Sequence, residues 1–243
     1  MREILIERER NMPSSVNIVL VHGAFCDGSS WAGVIPFLQE AGHSVVAVQL
    51  PLTDLSSDIA TTKSALASLS SPTILAGHSY GGAVITGAGT DAPNVTGLVY
   101  IAAYVPAEGE TLGDLNNRFP ATEGQGKIGP SYLENALYIA PDSFPQVFAA
   151  DVDPVQARVL AAVQKPTGLG CLTEKSGPPA WQKLPSWYLV SENDKTINPD
   201  GERWMAQRAG STTSAIASSH ASPVAHPREV ANLILAAAQA SAK

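Results

Sequence analysis

Short runs of wholly apolar residues recur along this chain, and most are followed by a stretch with helical spacing. Asn17 to Val21, Ser44 to Leu50, Thr73 to Ala76 and Val95 to Tyr104 are of this kind, as are Trp187 to Ser191 and Ser214 to Ser218 near the end. A strand that is apolar on both sides has to be covered on both faces, which is the condition of a parallel sheet between two helical layers. Helical spacing runs from about Ser30 to Ala41, stopped by Gly42 as a left-handed cap, and over 56–70, with Ser57 or Asp58 as N-cap. It returns just after Ser79, near 201–209 with Asp200 as cap, and over 228–241. The alternation predicts an α/β fold, a mostly parallel sheet of about six strands flanked by helices. Between about Pro106 and Pro185 it fails, in a stretch rich in Pro and Gly with helical pieces at 131–140 and 154–164. An insertion there lies over the carboxyl ends of the strands, so it reads as a cap rather than an independent domain. The expectation is one domain over 1–243, with 1–15 a loose leader and Met12 an alternative start.

Composition narrows the partners. The net charge is −7 and no basic run exists, which argues against nucleic acid. Cys26 and Cys171 are too few for a disulfide framework and point to a reducing compartment. Apolar stretches reach only about ten residues and the N-terminus lacks a signal-peptide core, so no membrane and a cytoplasmic location are expected. A homodimer is compatible with the chain. No His, Cys or carboxylate cluster has metal-ligand spacing and no phosphate loop occurs, so neither metal nor cofactor is expected.

The chemistry centres on Gly77-His78-Ser79-Tyr80-Gly81-Gly82, a G-x-S-x-G motif between the apolar run TILA and the helical run AVITGAG. In that context the glycines clear a strained strand-to-helix turn and Ser79 projects from the sheet edge. A serine needs a base, and the base an orienting acid. The motif is similar to the nucleophile elbow of α/β hydrolases, whose triads run Ser, acid, His along the chain. Downstream of Ser79 stand only His220, directly after a strand, and His226, before Pro227 and the last helix. The first is preferred as base and the second read as an exposed helix-start residue. For the acid, Asp194 in the loop after Trp187–Ser191 is preferred over Glu192. A third element, His22-Gly23-Ala24 after the first strand, offers the backbone N–H of Ala24 as an oxyanion donor beside that of Tyr80, with His22 as a brace.

Taken together, these motifs resemble the α/β-hydrolase superfamily over about residues 16 to 240. The run VLVHGAFCDGSSW and the Ser79 region resemble the small esterases grouped with plant methyl-ester esterases and hydroxynitrile lyases. The resemblance implies Ser79, Asp194 and His220 as triad, Ala24 and Tyr80 as oxyanion donors, and hydrolysis of a small carboxylic ester. The lyases of that group carry Thr where this chain has Gly23, and Lys after the catalytic His where it has Ala221. That departure favours hydrolysis over carbon–carbon lysis, while a ligand receptor on the same fold is the non-catalytic alternative. Phe25, Tyr104, Tyr132, Tyr138 and Trp181 are candidate pocket walls, and Cys26 a small apolar neighbour.

Overall fold

Alternate side chains of a strand point to opposite faces, and the apolar runs of this chain use both. In β1 (Asn17–Val21), Val19 and Val21 join one buried core while Ile18 and Leu20 join another. β2 (Ser44–Val48), β3 (Thr73–His78) and β4 (Val95–Ile101) follow; in β4, Leu98 and Tyr100 face the first core and Val99 and Ile101 the second. Three short strands, β5 (Ile128–Pro130), β6 (Ala136–Ile139) and β7 (Thr167–Gly168), form a separate antiparallel sheet. β8 (Ser186–Ser191) and β9 (Thr212–Ile216) complete the main sheet. Its order is β2-β1-β3-β4-β8-β9, and every pairing in it is parallel. The computed structural model describes residues 15–241; apart from Ser15, the leader expected over 1–15 and the alternative start Met12 lie outside them.

Helices α1 (Ile35–Glu40), α2 (Leu55–Ala67) and α3 (Tyr80–Ala88) link the first four strands. The segment between β4 and β8 carries α4 (Leu112–Asn116), α5 (Phe144–Val147), α6 (Pro154–Val163) and α7 (Gly170–Thr173). α8 (Pro199–Arg208), the short α9 (Ser222–Ala225) and α10 (Pro227–Ser241) finish the chain. α2 and α3 pack on one side of the sheet, α1 and α10 on the other. This is the α/β-hydrolase fold with a cap between β4 and β8. No described helix is long and apolar enough to cross a membrane.

Several local expectations are corrected. The helical piece at 131–140 is instead the β5–β6 hairpin, because Pro130 and a left-handed Asn135 (φ 55°) turn the chain back on itself. The helix expected over 30–41 is split into a 3-10 turn at Gly28–Trp31 and α1, whose start carries Pro36, although Gly42 does hold the expected left-handed conformation. Asp54, rather than Ser57 or Asp58, caps α2 by accepting the Ser57 N–H at 2.7 Å, and Asp58 turns into the core. Asn198, rather than Asp200, caps α8; it accepts the Asp200 N–H at 3.0 Å and Pro199 opens the helix.

Candidate active site

Ser79 stands between the end of β3 and the start of α3 with φ 54° and ψ −123°, a conformation that side-chain-bearing residues rarely adopt. The turn is possible because Gly77 and Gly81, two residues to either side, lack side chains. A Cβ on Gly77 would lie 2.5 Å from the Gly81 carbonyl oxygen, and one on Gly81 would lie 2.4 Å from that of Val21. Backbone bonds then hold the strained residue from both sides: Ser79 N–H donates to the Ile101 carbonyl (3.1 Å), while its own carbonyl accepts from Gly82 (3.0 Å) and Tyr104 (3.1 Å).

His220 arrives from the loop after β9 and lies fully buried with Nε2 2.8 Å from Ser79 Oγ. Its Nδ1 is 2.5 Å from Oδ2 of Asp194, in the loop after β8. A carboxylate can only accept, so Nδ1 carries the proton and Nε2 is left to receive the Ser79 hydroxyl. The other carboxylate oxygen of Asp194 accepts the N–H groups of Thr196 (2.6 Å) and Ile197 (2.9 Å), which fixes the carboxylate plane. The rivals are elsewhere: Glu192 pairs with Arg203 at the surface, and His226 pairs with Asp151 at 3.0 Å.

The loop after β1 comes close enough to touch the elbow, since a Cβ on Gly23 would lie 2.8 Å from Ser79 Cβ. His22 holds this loop in place. Its Nε2 accepts the Leu50 N–H (3.0 Å), so Nδ1 carries the hydrogen and donates to the Gly23 carbonyl (2.9 Å). Burial lowers the His22 pKa to about 4, which keeps the ring neutral and that tautomer in place. Phe25, at φ 63°, is tied to the cap through Thr167 Oγ1 and the Lys165 N–H. Among the described residues the N–H groups of Ala24 and Tyr80 have no acceptor. The Tyr80 side chain points away and donates to Asp58 Oδ2 at 2.7 Å.

A pocket opens beside the elbow, lined from the core by Phe25, Cys26, His78, Ala221 and Val224 and from the cap by Phe144, Phe148, Leu160 and Val163. Phe148 stacks on Phe144 (4.6 Å) and sets its edge against the His220 ring (4.7 Å). Of the expected walls only Phe25, together with its neighbour Cys26, lies here. Tyr104 faces a separate depression and donates to Asn116 Oδ1. Trp181 donates to the Pro106 carbonyl, Tyr132 is 75% exposed on the hairpin, and Tyr138 packs against Tyr132. Phe144 and Phe148 are not among the expected walls, although their i, i+4 spacing signals one face of a turn; Leu160 and Val163 sit on the helix expected at 154–164.

A family model described as "Alpha/beta hydrolase family" matches residues 18–233. The chain belongs to that family. Among this alpha/beta hydrolase's relatives, Methylesterase 8 of Arabidopsis thaliana is 25% identical over 208 residues, 78% of this chain and 76% of that protein. A carbendazim hydrolyzing esterase of a Nocardioides species is 37% identical over 109 residues, 40% of this chain and 45% of that one. The fold superposes on the crystal structure of polyneuridine aldehyde esterase with a TM-score of 0.80 at 18% identity, covering 92% of this chain and 99% of that one. A pyrethroid hydrolase from Sphingobium faniae gives 0.79 at 21% identity, covering 93% and 98%.

Proposed function

We propose that this alpha/beta hydrolase cleaves small carboxylic esters through an acyl-enzyme formed on Ser79. The observation that carries the reading is the unbroken hydrogen-bond chain from Asp194 through both nitrogens of His220 to Ser79 Oγ. Relatives named as methylesterases and as an esterase point the same way. In the first step Ser79 Oγ attacks the ester carbonyl while His220 Nε2 takes its proton. Asp194 holds the ring in the productive tautomer and stabilises the imidazolium. The free N–H groups of Ala24 and Tyr80 receive the oxyanion, the second of them aided by the start of α3. His220 then protonates the departing alcohol and activates the water that releases the acid.

The pocket lining is mainly apolar and aromatic, with Ser29, Ser30 and His78 as polar members; it includes no Lys or Arg, and Asp27 adds a negative charge. An uncharged ester with compact apolar groups fits that lining better than an anionic one. Ala221 stands where the resembling lyases carry Lys, and the lining offers no other cation to receive cyanide, which favours hydrolysis. The test is turnover of p-nitrophenyl acetate, butyrate and octanoate by wild type and Ser79→Ala. Loss of turnover in the variant, with preference for the short esters, is the expected result. Turnover that survives Ser79→Ala rules the reading out, and a folded wild type inert towards all three points to a binding protein.

A further inference from the structure

A second carboxyl group lies behind Asp194. Glu202, in the first turn of α8, is fully buried, and its Oε2 accepts the Ser191 N–H at 3.1 Å. Its Oε1 is equally buried and receives no hydrogen-bond donor among the described residues, while the carboxyl lies against that of Asp194. Among the described residues no cation is hydrogen-bonded to it. Arg203, next along α8, turns outward to Glu192 (3.0 Å) and Asp200 (3.2 Å). From β8, Tyr188 gives its hydroxyl proton to the Ala103 carbonyl (2.6 Å), and Tyr104, after β4, gives its own to Asn116 (2.9 Å). What faces the Glu202 carboxyl is therefore Asp194, an anion.

Two carboxyl groups in contact inside a protein cannot both be ionised, so they share one proton. Asp194 already receives N–H donors from His220, Thr196 and Ile197, whereas Glu202 receives only one, from Ser191. The charge settles where the donors are. We infer that Glu202 is a neutral carboxylic acid whose Oε1–H donates to Asp194, making it the positioning residue behind the acid of the Ser79–His220–Asp194 arrangement. Burial first, and the Asp194 charge second, push its carboxyl well above the usual carboxylate range. A donated hydrogen bond spreads the Asp194 charge away from His220. The acid that orients the imidazole is thereby fixed on a further side.

The inference rests on the proposed role of Asp194 and His220, so its test has a readout that needs no turnover. An infrared difference spectrum of wild type minus Glu202→Gln at neutral pH should show the C=O band of a protonated carboxylic acid, shifting in deuterium oxide. Carboxylate bands in its place overturn the proposal. In kinetics on an activated ester, Glu202→Met should lower kcat on the order of tenfold at nearly unchanged KM, less than the hundredfold or more of a lost acid–base group. It should also move the acidic limb of the kcat/KM profile upward. Glu202→Gln, whose amide N–H replaces the acid O–H, should return both towards wild type. If Met fails to fold, the infrared band and the limb of the Gln variant decide. Equal losses in both variants with an unmoved limb would make Glu202 a packing residue only. Turnover surviving Ser79→Ala fails the catalytic reading instead and leaves the infrared result standing.

Discussion

Ser79 holds a backbone conformation that costs an ordinary residue about 1–3 kcal/mol and persists only where its surroundings over-determine it. Here the bonds to Ile101, Gly82 and Tyr104 do so, and Gly23 closes the remaining side. That contact makes Gly23 the position where one methyl group does most to the site. In Gly23→Ala the new Cβ meets Ser79 Cβ at 2.8 Å and the His78 carbonyl at 3.2 Å, so the loop must retreat and carry the Ala24 N–H with it. In the proposed mechanism that N–H is an oxyanion donor, whose displacement costs about a hundredfold in rate, so kcat should fall on that order with the circular dichroism spectrum unchanged. Asp194→Asn acts differently. An amide that keeps its oxygen towards Thr196 and Ile197 presents N–H to His220 and enforces the wrong tautomer. The proposed mechanism then loses roughly four orders of magnitude in kcat, and a variant within a few-fold of wild type on p-nitrophenyl acetate would transfer the role of acid away from Asp194.

At the scale of elements, the cap is fastened to the histidine loop through Asp151 and the Phe148 carbonyl. Asp151, between α5 and α6, accepts from Ser219 Oγ (2.5 Å) and Ser219 N–H (3.1 Å) and faces His226 Nε2 at 3.0 Å. Burial works against its charge, but the bonds from Ser219, Ser218 and His226 outweigh it and hold its carboxyl below the usual range. Asp151→Asn keeps an oxygen for the backbone N–H and loses the charge. A loss of about 1 kcal/mol lowers Tm by roughly 2–4 °C in a chain this size, and KM should rise because Phe148 is then held to the histidine loop only by the bonds of its carbonyl to Ser219 and Ala221. Calorimetry and steady-state kinetics check the two halves separately. The same contrast explains what could be read from the sequence. β1, β3 and β8 were legible because burial on both faces leaves an unbroken apolar run, and the proposed Ser79 and Asp194 because each follows such a strand; β9 before His220 is a largely exposed edge strand, so His220 stands out by its place in the chain order rather than by an apolar run. The cap was not. Tyr132 and Tyr138 carry the same rings as pocket walls do, and only the hairpin turn at Asn135 decides that they pack on each other outside it. Asp54 and Asp58 are likewise indistinguishable in composition, and the register of α2 alone makes one a cap and the other a buried partner of Tyr80.

For the molecule as a whole, buried ionisable groups set how stability responds to pH, and they pull in opposite directions. Burial, chiefly, lowers His22 to about 4 and His78 to about 3, and it lowers His43 as well. Below an unfolded pKa near 6.5 the unfolded chain binds protons at these rings that the folded one refuses. Stability is therefore fully present above about 6.5 and falls with pH, for His22 down to about 4 and for His78 down to about 3. At pH 5 this amounts to on the order of 2 kcal/mol for each of His22 and His78. Glu202 has the opposite sign. With its folded pKa raised, it is protonated in the folded protein and ionised in the unfolded chain above about 4.3, so it removes stability as pH rises. Between about 4.3 and 6.5, His22, His78 and His43 outweigh the raised carboxyls of Glu202 and Asp58 and stability climbs with pH; above that range the rings are silent, and stability declines for as long as the folded protein keeps those carboxyls protonated. The urea midpoint of wild type should accordingly pass through a maximum near pH 6.5. Glu202→Gln removes one of the opposing protons, so its midpoint should fall more steeply towards pH 5 and decline less from pH 6.5 to 8. Curves for the two proteins that run parallel across that range would mean that Glu202 is ionised in the folded state.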